Sequence, residues 1–100
     1  MKSTKDVIRR HQAFKEFLCD NYGEGIVLLE PEYYDEAIIG ISDDERLVYS
    51  YDKLISAMIE YDGMSQEEAI DWISYNTIRS LPYMGEHAPI IMYPLDAILE

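Results

Sequence analysis

Ala37-Ile38-Ile39-Gly40-Ile41-Ser42-Asp43-Asp44-Glu45-Arg46-Leu47-Val48-Tyr49-Ser50-Tyr51 holds the local pattern from which the architecture follows. An apolar run leads into four residues that favour turns, and a run rich in β-branched and aromatic side chains follows. That order predicts two strands joined as a β-hairpin, with Asp43, Asp44 and Glu45 at its tip.

Beyond the hairpin, Asp52 is expected to cap a helix whose apolar positions are Leu54, Ile55, Met58 and Ile59, and Asp62-Gly63 to stop it. Ser65-Gln66-Glu67-Glu68 has the form of a capping box, in which the serine caps the helix and the glutamate reaches back. A helix from Gln66 to Leu81 follows, burying Ala69, Ile70, Ile73, Thr77 and Leu81, with Trp72 at the edge of the stripe and Pro82 as its end. After the loop Tyr83 to Ala88, Pro89-Ile90-Ile91-Met92-Tyr93 reads as a last strand, Pro94 ends it, and Leu95 to Glu100 form a short tail.

Before the hairpin, Ile26 to Leu29 reads as a short buried strand, interrupted at Pro31-Glu32-Tyr33-Tyr34-Asp35. From Ser3 or Thr4, the apolar side chains Val7, His11, Phe14, Leu18 and Tyr22 recur at helical spacing, and Gly23 and Gly25 end that helix. The expected order is therefore αβββααβ. It predicts an α+β domain with one three- to four-stranded sheet packed on three helices. The last strand can lie parallel to a neighbour, because two helices separate it from the strand before. One hundred residues suit a single domain, 1–100, made of a basic N-terminal helix (1–22) and an acidic body (26–95).

Charge divides the chain at the same place. Lys2, Lys5, Arg9, Arg10 and Lys15 against Asp6 leave the first fifteen residues at +4, and the rest carries −16 of a total of −12. An acidic body repels nucleic acid and anionic membranes and accelerates encounter with a basic protein. Five basic groups beside it make a poor polyanion binder, so the first helix is expected to contact the acidic body or a neighbouring subunit. Cys19 is the one cysteine, so no internal disulfide and no zinc cluster is expected, and it reads as an inert buried thiol in a reducing, cytoplasmic setting. No stretch approaches the roughly 18 apolar residues of a membrane span, and no export signal is visible.

The residues that could carry chemistry have structural roles to weigh against it. Asp43, Asp44 and Glu45 suit a turn and lack calcium-loop spacing, while Glu67, Glu68 and Asp71 complement a helix start. His11 falls on the apolar stripe of the first helix; His87, in a loop beside Glu86, is the freer of the two histidines. Gly23-Glu24-Gly25 lacks the elements of a phosphate loop. No cofactor and no metal ligand set is expected. Nine tyrosines suit a binding surface; Tyr33 and Tyr34, flanked by Glu32 and Asp35, are its expected anchors, joined by Tyr61, Tyr75 and Tyr83. Tyr49, Tyr51 and Tyr93 read as core or cross-strand partners.

Through Ala37-Ile38-Ile39-Gly40, Tyr51-Asp52-Lys53, Asp62-Gly63-Met64-Ser65, Glu68-Ala69-Ile70-Asp71-Trp72-Ile73, Tyr75-Asn76-Thr77-Ile78-Arg79, Leu81-Pro82-Tyr83 and Ala88-Pro89-Ile90-Ile91-Met92-Tyr93, the chain resembles a group of small uncharacterised acidic proteins of bacterial viruses, prophages and mobile elements. The match spans roughly residues 36–95 and leaves out the first helix. The resemblance implies a setting: small acidic proteins of such elements, anti-CRISPR inhibitors among them, often occupy the nucleic-acid-binding groove of a host enzyme.

The expectation is thus a non-enzymatic acidic domain that binds a basic host protein, such as a nuclease or nucleic-acid-binding complex, and mimics DNA. Its contact residues would be Glu32, Tyr33, Tyr34, Asp35, Asp43, Asp44, Glu45, Glu67, Glu68 and Asp71. The alternatives are a homo-oligomeric accessory protein of a viral assembly, and a small metal-dependent hydrolase using the acid clusters and His87.

Overall fold

The computed structural model describes residues 4–23 and 25–95. Lys2, the helix start at Ser3, Glu24, and the tail after Leu95 lie outside the described residues.

The fold is α+β. Helix α1 spans Thr4–Tyr22, a 3₁₀ helix spans Glu32–Ala37, and strands β1 (Ile38–Ile41) and β2 (Leu47–Ser50) form the hairpin. Helices α2 (Tyr51–Asp62) and α3 (Gln66–Trp72) follow, and α3 runs on through a wider π turn (Ile73–Thr77) and a 3₁₀ turn (Ile78–Tyr83) before β3 (Ile90–Met92). The sheet has the order β1-β2-β3. β1 pairs antiparallel with β2, Ile41 opposite Leu47, with a bulge between Ile38 and Gly40 that leaves Ile39 exposed. β3 pairs parallel with β2, Val48 opposite Ile90, as a two-helix connection permits.

Four expectations need correction. Ile26 to Leu29 is not a strand of the sheet: it runs extended beside the loop, where the Val27 N–H donates to the His87 carbonyl (3.4 Å) and the Leu29 N–H donates to Tyr49 Oη (2.9 Å). With these bonds made, the segment needs no ladder. The cap of α2 is Ser50, which accepts from the Lys53 N–H at 3.3 Å while it is still the last residue of β2; Asp52 sits exposed in the first turn. Ile59 and Ile70 are exposed, because α2 buries Leu54, Ile55, Ala57 and Met58 and the following helical run buries Ala69, Ile73 and Thr77. Cys19 is exposed, because it follows the buried Leu18 by one residue and so is turned about 100° away from it around α1.

The capping box is present in full, with Glu68 N–H donating to Ser65 Oγ and Ser65 N–H to Glu68 Oε1. Gly63, at φ 69°, ends α2 in the left-handed conformation that glycine adopts without strain. Buried Leu18, Leu29, Tyr34, Leu47, Tyr49, Leu54, Met58 and Ile73 form the core between the sheet and the helices, and α1 packs on the 3₁₀ helix. Among the described residues no helix is long and apolar enough to cross a membrane.

Candidate functional site

The ten expected contact residues separate into three places. Asp43, Asp44 and Glu45 are all exposed at the hairpin tip, where the Glu45 N–H donates to the Ser42 carbonyl (3.0 Å) and Ser42 Oγ donates to Asp44 Oδ1. That bond holds the Asp44 carboxyl below its ordinary range. Glu45 stands at φ 60°, a left-handed conformation costly for a side chain of its shape. The tip is anchored to the loop before β3: Arg46 Nε donates to the Ala88 carbonyl (2.7 Å), and His87 Nδ1 lies 3.2 Å from the Glu45 carbonyl. His87 therefore packs at a junction, with Gly25 so close that a Cβ there would stand 3.3 Å from its ring.

Glu32, Tyr33, Tyr34 and Asp35 lie on the 3₁₀ helix, and here the structure overturns the expectation of an aromatic contact surface. Tyr34 is 1% exposed and belongs to the core, because the tight turn points it inward. Tyr33 is half-buried, its ring stacked on Tyr61 at 4.8 Å, and its hydroxyl donates to Asp62. Asp35 is drawn inward as well. His11 Nδ1 lies 2.6 Å from Asp35 Oδ2, while Asp35 Oδ1 is buried with no hydrogen-bond partner. Burial is the main reason that its carboxyl is raised above its ordinary range. Beside this pair, Val7, Arg10, Ala13 and Phe14 of α1 face Glu32, Asp35, Glu36 and Ile38 across a cleft of about 400 Å³. The basic helix thus does meet the acidic body.

Glu67, Glu68 and Asp71 are exposed at the start of α3. Glu68 and Asp71 also line a groove of about 340 Å³ with Met64, Trp72, Tyr75 and Asn76. The π turn carries an extra residue, its bond running from the Ile78 N–H to the Ile73 carbonyl, and such turns are common at functional sites. Trp72 is 37% and Tyr75 67% exposed, and the Arg79 guanidinium stands 5.6 Å from the centroid of the Tyr75 ring. Asn76 Nδ2 donates to the Trp72 carbonyl (3.1 Å), which holds the widened turn together. Met64, Trp72 and Asn76 were not among the expected contact residues. The signal was present in the spacing, since Glu68, Asp71, Trp72, Tyr75 and Asn76 share one helix face beside the buried stripe of Ala69 and Ile73.

Of the exposed acids Asp43, Glu45, Glu67 and Asp71, none has an ion-pair partner among the described residues, and Asp44 has only Arg46 at 3.7 Å. No three His, Cys, Asp or Glu side chains converge as a metal centre requires, again among the described residues. No family model, curated protein or solved structure matches this chain.

Proposed function

We propose that the chain is an acidic binding domain that occupies a basic, nucleic-acid-binding surface of a host protein, acting in the cytoplasm of a bacterial host as an inhibitor of viral or prophage origin. The observation that carries this reading is the exposed acid at the hairpin tip and at the start of α3, where Asp43, Glu45, Glu67 and Asp71 have no ion-pair partner among the described residues. Exposed carboxylates of this kind repel one another and lower stability, so a surface that concentrates them suits a partner that neutralises them. The resemblance to small acidic proteins of bacterial viruses supplies the setting. Arg10 and His11 are turned toward Glu32 and Asp35 within the chain, whereas the hairpin tip and the start of α3 each group three exposed acids away from that contact.

The test is capture of a nucleic-acid-binding enzyme from host lysate, followed by competition with nucleic acid and a salt series. Association should weaken steeply as salt rises, nucleic acid should compete, and Asp43→Lys, Asp44→Lys and Glu45→Lys together should abolish binding while the far-ultraviolet circular dichroism stays native. Binding that is indifferent to salt and to nucleic acid would eliminate the reading.

A further inference from the structure

The groove on α3 brings two kinds of group together. Trp72 and Tyr75 line it with aromatic rings, and Glu68 and Asp71 line it with carboxylates one turn earlier along the same side. We propose that this groove seats an arginine side chain of the basic partner, its guanidinium stacked on Trp72 and Tyr75 and hydrogen-bonded to Glu68 and Asp71. This rests on the acidic-binding reading above and names what that partner must present.

Three observations select this occupant. Arg79 of the same chain already places its guanidinium over Tyr75, so the ring is presented in a way that accepts this group. Glu68 spends Oε1 on the Ser65 N–H, which fixes its orientation and leaves its other oxygen for a guest; that backbone bond also holds its carboxyl below the ordinary range, so it stays ionised. The flat rings favour a planar cation that stacks and forks its hydrogen bonds over the compact, strongly hydrated ammonium of lysine. A nucleotide would meet carboxylates where it needs cations.

Trp72 is the single tryptophan, so its fluorescence reports on the groove alone. The protein would be titrated with a capped Gly-Arg-Gly-Arg-Gly peptide and with its lysine and citrulline counterparts, with amide chemical shifts recorded in parallel. The arginine peptide should shift Trp72 emission saturably and bind severalfold tighter than the lysine peptide, and citrulline should be silent. Tyr75→Ala should weaken it about 3- to 10-fold. Glu68→Gln with Asp71→Asn should do likewise, and glutamine keeps the capping box so the helix survives. Arg79→Gln should tighten binding relative to the charge-matched Lys53→Gln, because an internal competitor for the ring is removed.

Arginine and lysine peptides of equal affinity, with Tyr75→Ala without effect, would overturn the assignment. So would peptide shifts confined to residues 42–46 with the Trp72 indole unmoved, an outcome that leaves the acidic-binding reading standing. Absence of saturable binding by either basic peptide at low salt would remove both.

Discussion

His11 Nδ1 lies 2.6 Å from Asp35 Oδ2, and this contact joins α1 to the 3₁₀ helix across twenty-four residues of chain. The arrangement couples stability to pH in a definite direction. Burial raises the Asp35 carboxyl, with Glu32 adding to the effect, while His11 and Arg10 oppose it. A carboxyl whose folded pKa exceeds its unfolded value binds its proton more tightly in the folded state. Its contribution to stability is therefore greatest at low pH, and declines as pH rises from the unfolded value of about 4 through the raised one. Urea melts of the native chain and Asp35→Asn should give a stability difference that falls over that window and is level above it. A difference that grows with pH would show that the bond to His11, and not burial, dominates.

Tyr49 Oη accepts the Leu29 N–H at 2.9 Å, deep in the core. Burial is the largest cause of the raised pKa of this hydroxyl and outweighs the Leu29 N–H, which lowers it while holding the segment before the 3₁₀ helix. Tyr49→Phe removes the acceptor with little change of volume and strands a buried donor. The expected cost is about 1–3 kcal/mol, measured by denaturant unfolding. Hydrogen exchange should quicken first at Leu29, and uniform quickening would argue against this tether.

That tether also shows where sequence reading reached its limit. A short apolar run such as Ile26 to Leu29 has the composition of a strand, yet one side-chain hydroxyl and one loop carbonyl satisfy its backbone, and no local pattern announces such partners. The hairpin and capping box were legible because they depend on residues within a few positions of each other. At the candidate site the acids of the hairpin tip and α3 were legible as exposed, since turns and helix starts place them outward. Tyr34 was not, because its direction is set by the 3₁₀ geometry and by what α2 leaves to be filled. Trp72 and Tyr75 were visible singly but not as a groove, whose shape needs the π turn.

Alkaline titration should separate the tyrosines. Tyr61 donates to Glu36, and this bond is the largest cause raising its hydroxyl to about 12; burial does the same for Tyr34, also to about 12, and raises Tyr33 beyond that range. A hydroxyl raised on folding contributes stability that is complete below the unfolded value of about 10 and is lost as pH climbs through the folded one. Absorbance at the tyrosinate band should therefore show a late phase that coincides with unfolding, and Tyr61→Phe should reduce its amplitude. Completion of all ionisation before pH 11 in a still-folded protein would refute these bonds.

Glu45 occupies the left-handed position of the hairpin tip, where glycine or asparagine is the ordinary choice. A side chain in that conformation costs about 1–2 kcal/mol, whereas glycine avoids that cost and loses about 0.5–1 kcal/mol more in ordering. Glu45→Gly should therefore stabilise the fold by up to about 1 kcal/mol, and Glu45→Asn by less, in thermal or denaturant melts. Strain of this kind persists where the residue serves something other than stability. If the carboxylate meets a basic partner, the glycine variant will be more stable yet bind more weakly, and its binding will depend less on salt. A variant more stable and equally tight would place Glu45 outside the interface and confine the acidic contact to α3.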